Sequence, residues 1–112
     1  MSSLRQNKVA RLLQKELSII FQQNGTDWFP NTMISVTVVR VAPDFSFAKV
    51  YLSIFGNEEP KDCVKAINQN AKMIRGELGR KIKSQLRVTP ELAFYVDDSI
   101  DYAEALDEAL KS

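Results

Sequence analysis

Apolar residues recur at helical spacing near the start of the chain. The spacing predicts an amphipathic helix over residues 4–23, with Ser2 or Ser3 capping its N-terminus. Asn24-Gly25 predicts the end of this helix, because glycine adopts a left-handed backbone conformation without steric cost. The apolar stripe consists of Val9, Leu12, Leu13, Leu17, Ile20 and Phe21.

Two segments after this helix have the composition and alternation of β-strands. Residues 33–41 (MISVTVVRV) are dense in β-branched side chains, and residues 46–55 alternate between an apolar and a mixed face. Pro43-Asp44 between them is typical of a turn, so the two strands are predicted to form an antiparallel hairpin. Leu92, Phe94 and Val96 alternate as a short third strand.

Helical periodicity returns between the second and third strands, over residues 61–86. This stretch is long for so small a chain, so an internal kink is predicted. A crossover of this length makes the strands on either side of it parallel. Ser99 is predicted to cap a last helix, whose outward side is acidic.

The predicted fold class is therefore α+β, with a three-stranded mixed sheet covered on one face by helices. At 112 residues and 45% apolar content the chain is expected to form a single domain, 1–112, with 1–3 and 111–112 flexible. It shows no leader-like or membrane-spanning apolar segment, so a cytoplasmic protein without membrane contact is expected.

Residue types that commonly carry catalysis are scarce. The chain has no histidine and one cysteine, Cys63, which lies beside Asp62 and is interpreted as inert. Asp97-Asp98 precedes Ser99, where helix capping is a better interpretation than an acid–base pair or a metal site. No phosphate-cradling glycine motif or metal-ligand spacing is present. The sequence therefore predicts a protein that is not an enzyme and uses no cofactor.

Charge is distributed unevenly although the formal net charge is only +1. Residues 61–89 hold eight lysines and arginines against two carboxylates, a balance of +6. Residues 90–112 hold seven carboxylates against one lysine, a balance of −6. Such polarity favours a polyanionic partner approached from one side, although two ordinary solvated faces would give the same composition.

One side of the crossover collects most of the candidate RNA-binding residues. Cations there have the spacing of a phosphate chain, and two glycines leave the backbone bare for a close approach. The glycines could instead serve helix packing, and the charges solubility; Arg75 in particular could be half-buried, with Glu16 as a partner. The candidates are Lys72, Arg75, Gly76, Gly79, Arg80, Lys83 and Arg87.

Two further candidate surfaces lie elsewhere in the sequence. Lys8, Arg11 and Lys15 share the polar side of the first helix, which is also the ordinary pattern of a solvated helix face. Lys49 and Tyr51 share the outward side of the second strand, where they could stack a base or simply pack across strands.

Four segments of the chain carry a family resemblance: Lys8-Val9 with residues 14–17 (QKEL), residues 41–51 (VAPDFSFAKVY), residues 74–80 (IRGELGR) and residues 87–99 (RVTPELAFYVDDS). They resemble the ribosome-binding factor A family of bacterial small-subunit maturation factors. The resemblance implies a KH-like domain of type II topology, with the order α-β-β-α-kink-α-β-α. The family has an Ala-x-Gly kink between the crossover helices; the matching residues here are Ala71, Lys72 and Met73, which predicts a milder kink.

The resemblance also implies a function. It predicts a monomer that binds 16S rRNA on the free, immature 30S subunit and assists late rRNA processing and cold adaptation. A ribosome-maturation GTPase is the expected partner in its release. Two alternatives stay open: a general KH-type protein that binds single-stranded RNA, and a protein-interaction module acting through the acidic C-terminal helix.

Overall fold

The computed structural model describes residues 4–56 and 59–97. Within them the order of elements is helix, strand, strand, helix, helix, strand, as the sequence predicts. The predicted last helix from Ser99, the acidic residues 98–112 and the termini expected to be flexible lie outside the described residues. The elements are α1 (Leu4–Trp28), β1 (Thr32–Val41), β2 (Phe47–Gly56), α2 (Pro60–Gln69), α3 (Ala71–Ile82) and β3 (Glu91–Val96).

Helix α1 continues past the Asn24-Gly25 pair, so the predicted end at residue 23 is wrong. Trp28 packs edge-on against Phe21, with ring centroids 6.0 Å apart, and this contact stabilises the additional turn. The helix ends where Pro30 disfavours a helical conformation of the residue before it. The left-handed backbone conformation that was assigned to Gly25 is adopted by Asn31, at φ 59°.

Strands β1 and β2 form the predicted antiparallel hairpin, with Val41 opposite Ala48 at the turn end. A β-bulge between Val36 and Val38 shifts the register by one residue. The shift keeps apolar residues on the core side, because burial falls on even positions up to Val36 and on odd positions from Val39. At the other end only glycine fits position 56, since a Cβ there would lie 2.3 Å from the Asn31 carbonyl oxygen.

The sheet has the order β1-β2-β3, with β1 antiparallel and β3 parallel to β2, so it is mixed as predicted. All three helices pack on one face, α1 over β1 and the α2–α3 pair over β2 and β3. The core lies between these layers and includes Leu13, Leu17, Leu78 and Phe94. The opposite face, here called the open sheet face, carries Met33, Arg40, Lys49, Tyr51, Phe55 and Tyr95.

The crossover is interrupted at Asn70, one residue before the predicted kink segment Ala71, Lys72 and Met73. These three residues form the first turn of α3 instead. Asn70 leaves the helical conformation, at φ −108° and ψ 17°, while its side-chain nitrogen donates to the Ala66 carbonyl over 2.9 Å. Asparagine side chains compete for backbone partners in this way, which explains a break without the family's glycine.

The end of α2 is fastened to the outer edge of β3. The Asn68 side chain donates to the Phe94 carbonyl over 2.9 Å and accepts from the Phe94 amide over 2.8 Å. Backbone groups at a sheet edge would otherwise stay unpaired. The Asn68 side chain makes the two hydrogen bonds that a further strand would make there. The contact fixes the position of the helix break relative to the sheet.

Among the described residues, no helix combines the length and apolar character needed to cross a membrane.

Candidate nucleic-acid interface

A groove runs between α3 and the segment that leads into β3. It has a volume of about 1000 Å³ and opens at the edge of the sheet next to β3. Of the seven crossover candidates, the structure places five in its lining: Lys72, Arg75, Gly76, Gly79 and Arg87. The groove therefore brings together residues that are 15 positions apart in the sequence.

The two glycines of α3 have different roles in this groove. A Cβ at Gly76 would meet nothing within 4 Å, so this position leaves the helix backbone accessible from the groove. A Cβ at Gly79 would lie 2.9 Å from the Thr89 hydroxyl oxygen. Gly79 therefore serves the close packing of α3 against residues 87–90, and only Gly76 fits the predicted role of a bare approach surface.

Arg75 holds the wall of the groove together. Its Nε donates to the Thr89 and Pro90 carbonyl oxygens over 3.1 and 3.2 Å, and its Nη2 donates to the Thr89 carbonyl over 2.7 Å. The half-buried alternative for Arg75 is the one that the structure shows, although the partners are these carbonyls and not Glu16. Its charge adds to those of Lys72 and Arg87, so the described lining of the groove has three cations against one carboxylate, Glu91.

Lys72 and Arg87 are exposed at the two sides of the groove and make no ion pair with a described carboxylate. Their side chains can turn towards a phosphate in the groove at little cost, since no internal ion pair has to be broken. A cation on each wall of the groove, together with a bare backbone position one turn along α3 from Lys72, suits an extended sugar–phosphate chain.

Arg80 and Lys83 are exposed but lie outside the groove lining. Arg80 forms an ion pair with Glu77 at 3.7 Å, and an exposed pair of this kind contributes at most about 1 kcal/mol. The pair does not prevent Arg80 from contacting a polyanion. Arg80 and Lys83 extend the positive surface beyond the groove.

The remaining candidates lie on two other surfaces. Lys8, Arg11 and Lys15 are exposed on α1, which covers β1, whereas the groove is on the β3 side of the molecule. Lys49 lies on the open sheet face, on the other side of the sheet from α1, α2 and α3. The structure therefore separates the predicted residues into three surfaces.

Sequence reasoning missed Arg40, which lies directly opposite Lys49 in the hairpin register. The signal was available in principle, because Arg40 occupies an outward position of a strand. The bulge at Val36 and Val38 obscured it, since the outward parity of β1 changes there.

A second, smaller cavity of about 410 Å³ lies on the side of the helix break that faces the end of α1. Trp28, Phe29 and Met73 contribute to its lining. Met73 is 48% exposed, which explains why an apolar residue is tolerated outside the core phase of α3. The cavity could not be predicted, because α1 was expected to end before Trp28.

Comparisons of the sequence with known proteins agree on one family. A family model described as "Ribosome-binding factor A" matches residues 5–110. A protein named ribosome-binding factor A from Cytophaga hutchinsonii is 46% identical over 110 residues, covering 98% of this chain and 83% of its own. The protein of the same name from Clostridium botulinum strain Hall is 40% identical over 113 residues, covering 100% of this chain and 92% of its own.

Solved structures show the same fold. The crystal structure of ribosome-binding factor A from Thermus thermophilus has a TM-score of 0.67 at 21% identity, over 81% of this chain and 94% of that one. The solution structure of a Thermotoga maritima protein described as a putative ribosome-binding factor A has a TM-score of 0.65 at 26% identity, over 85% and 89%. These likenesses confirm the predicted α+β, KH-like fold.

A third structure matches over 85% of this chain and 93% of its own, with a TM-score of 0.58 at 22% identity. It is a homology model of the Thermus thermophilus protein, fitted into the cryo-EM map of a complex between the 30S subunit and ribosome-binding factor A.

Proposed function

The chain belongs to the ribosome-binding factor A family, and we propose that it binds the immature 30S ribosomal subunit through 16S rRNA. The observation that carries this proposal is the groove beside α3, which Lys72 and Arg87 line together with the bare backbone position Gly76. The relative fitted into a 30S complex supports the choice of target.

The proposed mechanism is non-covalent. Phosphates of an rRNA strand lie in the groove, where Lys72 and Arg87 neutralise their charge and release counterions. Gly76 lets the strand approach the α3 backbone, and the Arg75 hydrogen bonds keep the opposite wall at a fixed distance. A protein that binds one rRNA conformation better than the alternatives increases the population of that conformation.

The finer parts of the proposal follow from family membership. They are assistance in late 16S rRNA processing, cold adaptation, release by a maturation GTPase, and action in the cytoplasm as a monomeric single-domain protein without catalysis. Processing, cold adaptation and release depend on the primary proposal, because each requires the protein to occupy the immature subunit.

The experiment is co-sedimentation of the full chain with purified 30S subunits across a series of salt concentrations. We expect Lys72→Gln with Arg87→Gln to weaken binding and to make it less sensitive to salt, by about 0.7–0.9 in the log–log slope for each phosphate that the variant no longer neutralises. Lys61→Gln with Lys65→Gln is the matched control; it removes the same charge from two exposed lysines of α2 outside the groove lining and should bind as the native chain does.

Affinity that is independent of salt, or groove variants that bind as tightly as the control, would contradict the proposal. The two alternatives give other results. If the chain is a general single-stranded RNA binder, it binds unrelated RNA with an affinity similar to that for the subunit, so unrelated RNA displaces it from the subunit. An interaction module acting through the acidic residues 98–112 loses binding when the chain is ended after Asp97 and keeps it in the groove variants.

A further inference from the structure

The open sheet face carries aromatic rings that no helix or strand among residues 4–56 and 59–97 covers. Tyr51 and Tyr95 are register partners on β2 and β3, and their rings stack with centroids 5.6 Å apart and planes at 30°. Tyr95 is 42% exposed and Phe55, further along β2, is 80% exposed. Flat rings on an exposed sheet are suitable surfaces for stacking bases.

Two cations lie next to these rings in an arrangement that is unfavourable for the isolated protein. Arg40 and Lys49 face each other directly across the antiparallel pair, and like charges in this position repel. Neither has a carboxylate within 4.0 Å among the described residues. Lys49 precedes Tyr51 by two positions on the same face, which places the two side chains about 7 Å apart along the strand.

These observations point to a ligand that supplies negative charge and flat apolar groups together. An anionic protein segment would satisfy the cations but would not need a ring stack beside them. A duplex would offer phosphates, but its bases are already stacked and paired. A single strand of RNA with unpaired bases offers both phosphates and free base faces.

We propose that the open sheet face binds an unpaired stretch of RNA, with bases on Tyr51, Tyr95 and Phe55 and phosphates on Arg40 and Lys49. The groove beside α3 lies on the helical side of the sheet, so the protein holds two RNA segments, one on each side. This inference rests on the proposed function, in that the RNA concerned belongs to the same target.

The test uses the full chain, a fluorescein-labelled single-stranded RNA of about 12 nucleotides and a duplex of the same length. We expect Tyr51→Leu with Tyr95→Leu to weaken single-strand binding by roughly 5- to 150-fold for each base that is left without its stacking partner. Leucine removes the rings and keeps the face apolar. The melting temperature of the variant checks that the fold is retained. Duplex affinity should change by less than about twofold, because paired bases cannot reach the rings.

A second variant tests the cations and avoids the rings. Arg40→Gln with Lys49→Gln should weaken single-strand binding and reduce its salt dependence. Without RNA it should melt at a higher temperature than the native chain, because the cross-strand repulsion is removed. Lys61→Gln with Lys65→Gln, which removes the same charge from α2, is again the matched control.

The outcomes separate this inference from the proposed function. If the groove variant loses single-strand binding and the open-face variants keep it, the inference is overturned and the proposed function stands. If only the open-face variants lose single-strand binding, the inference is supported and the groove has no role in RNA binding. A native chain that binds neither RNA nor the subunit overturns both.

Two other results would also overturn the inference. Single-strand binding that appears only when the chain is ended after Asp97 assigns the face to the acidic residues 98–112. A dimer in sedimentation that the Tyr51→Leu, Tyr95→Leu variant disrupts assigns the face to a second copy of the chain.

Discussion

The contrast between Gly76 and Gly79 gives a sharp test of the structure. Both lie in α3, three residues apart, and replacing either by alanine should gain the helix propensity that glycine lacks, about 1 kcal/mol. At Gly76 nothing opposes the gain, since no atom lies within 4 Å of the new Cβ. Gly76→Ala is therefore expected to stabilise the fold by about 0.5–1 kcal/mol and to raise Tm by roughly 4 °C.

At Gly79 the same methyl group meets the Thr89 hydroxyl oxygen at 2.9 Å, whereas ordinary contacts begin near 3.4 Å. The Thr89 backbone cannot simply retreat, because its carbonyl accepts two bonds from Arg75. The threonine side chain must then leave its rotamer, which costs about 0.5–1.5 kcal/mol. The cost cancels the propensity gain, so Gly79→Ala should be less stable than Gly76→Ala by about 1 kcal/mol.

A double-mutant cycle with Thr89→Ala isolates this contact. Without the hydroxyl, Gly79→Ala should recover its propensity gain, giving a coupling free energy of about 0.5–1.5 kcal/mol. Urea denaturation of the native chain, the two single variants and the double variant measures it, with unchanged m values as the check on two-state unfolding. Equal stabilisation by Gly76→Ala and Gly79→Ala, or a coupling near zero, would refute the close packing of α3 on this segment.

Two further predictions concern hydrogen bonds, one set at the wall of the groove and one in the turn between β1 and β2. Arg75→Met should destabilise the fold by about 1.5–3 kcal/mol in urea denaturation, since loop carbonyls lose a charged donor, and a cost near zero would contradict the wall-forming role. The Ser46 hydroxyl and then its amide hold the pKa of Asp44 below the usual aspartate value. The stabilisation from Asp44 is thus present above its unfolded pKa and is lost as the pH falls through the lower folded pKa. In an NMR titration Ser46→Ala should raise that pKa, and an unchanged value would contradict the assigned cause.

The strands were predictable because their signals are local. Alternation and β-branched content placed β1, β2 and β3 within a residue or so of their ends, and the long crossover required β2 and β3 to be parallel. The break in the crossover was predictable in existence but not in position. Its position depends on Asn70, whose side chain has a backbone carbonyl as an alternative partner.

The end of α1 was not predictable from the Asn24-Gly25 signal. That signal is a local preference of about 1 kcal/mol, and the packing of Trp28 on Phe21 outweighs it. The cavity lined by Trp28, Phe29 and Met73 follows from this additional turn, so it was beyond sequence reasoning as well.

For the candidate site, the sequence alone determined which side of the crossover is cationic, because the period of a helix converts spacing directly into a face. It also determined the family, through motifs that span most of the chain. Only the tertiary structure decided how each residue is used: Arg75 supports a loop, Gly79 makes room for Thr89, and Lys72, Gly76 and Arg87 remain available to a ligand. The reason is that spacing along one helix says nothing about which neighbouring segment packs against it, and that neighbour determines whether a side chain is occupied.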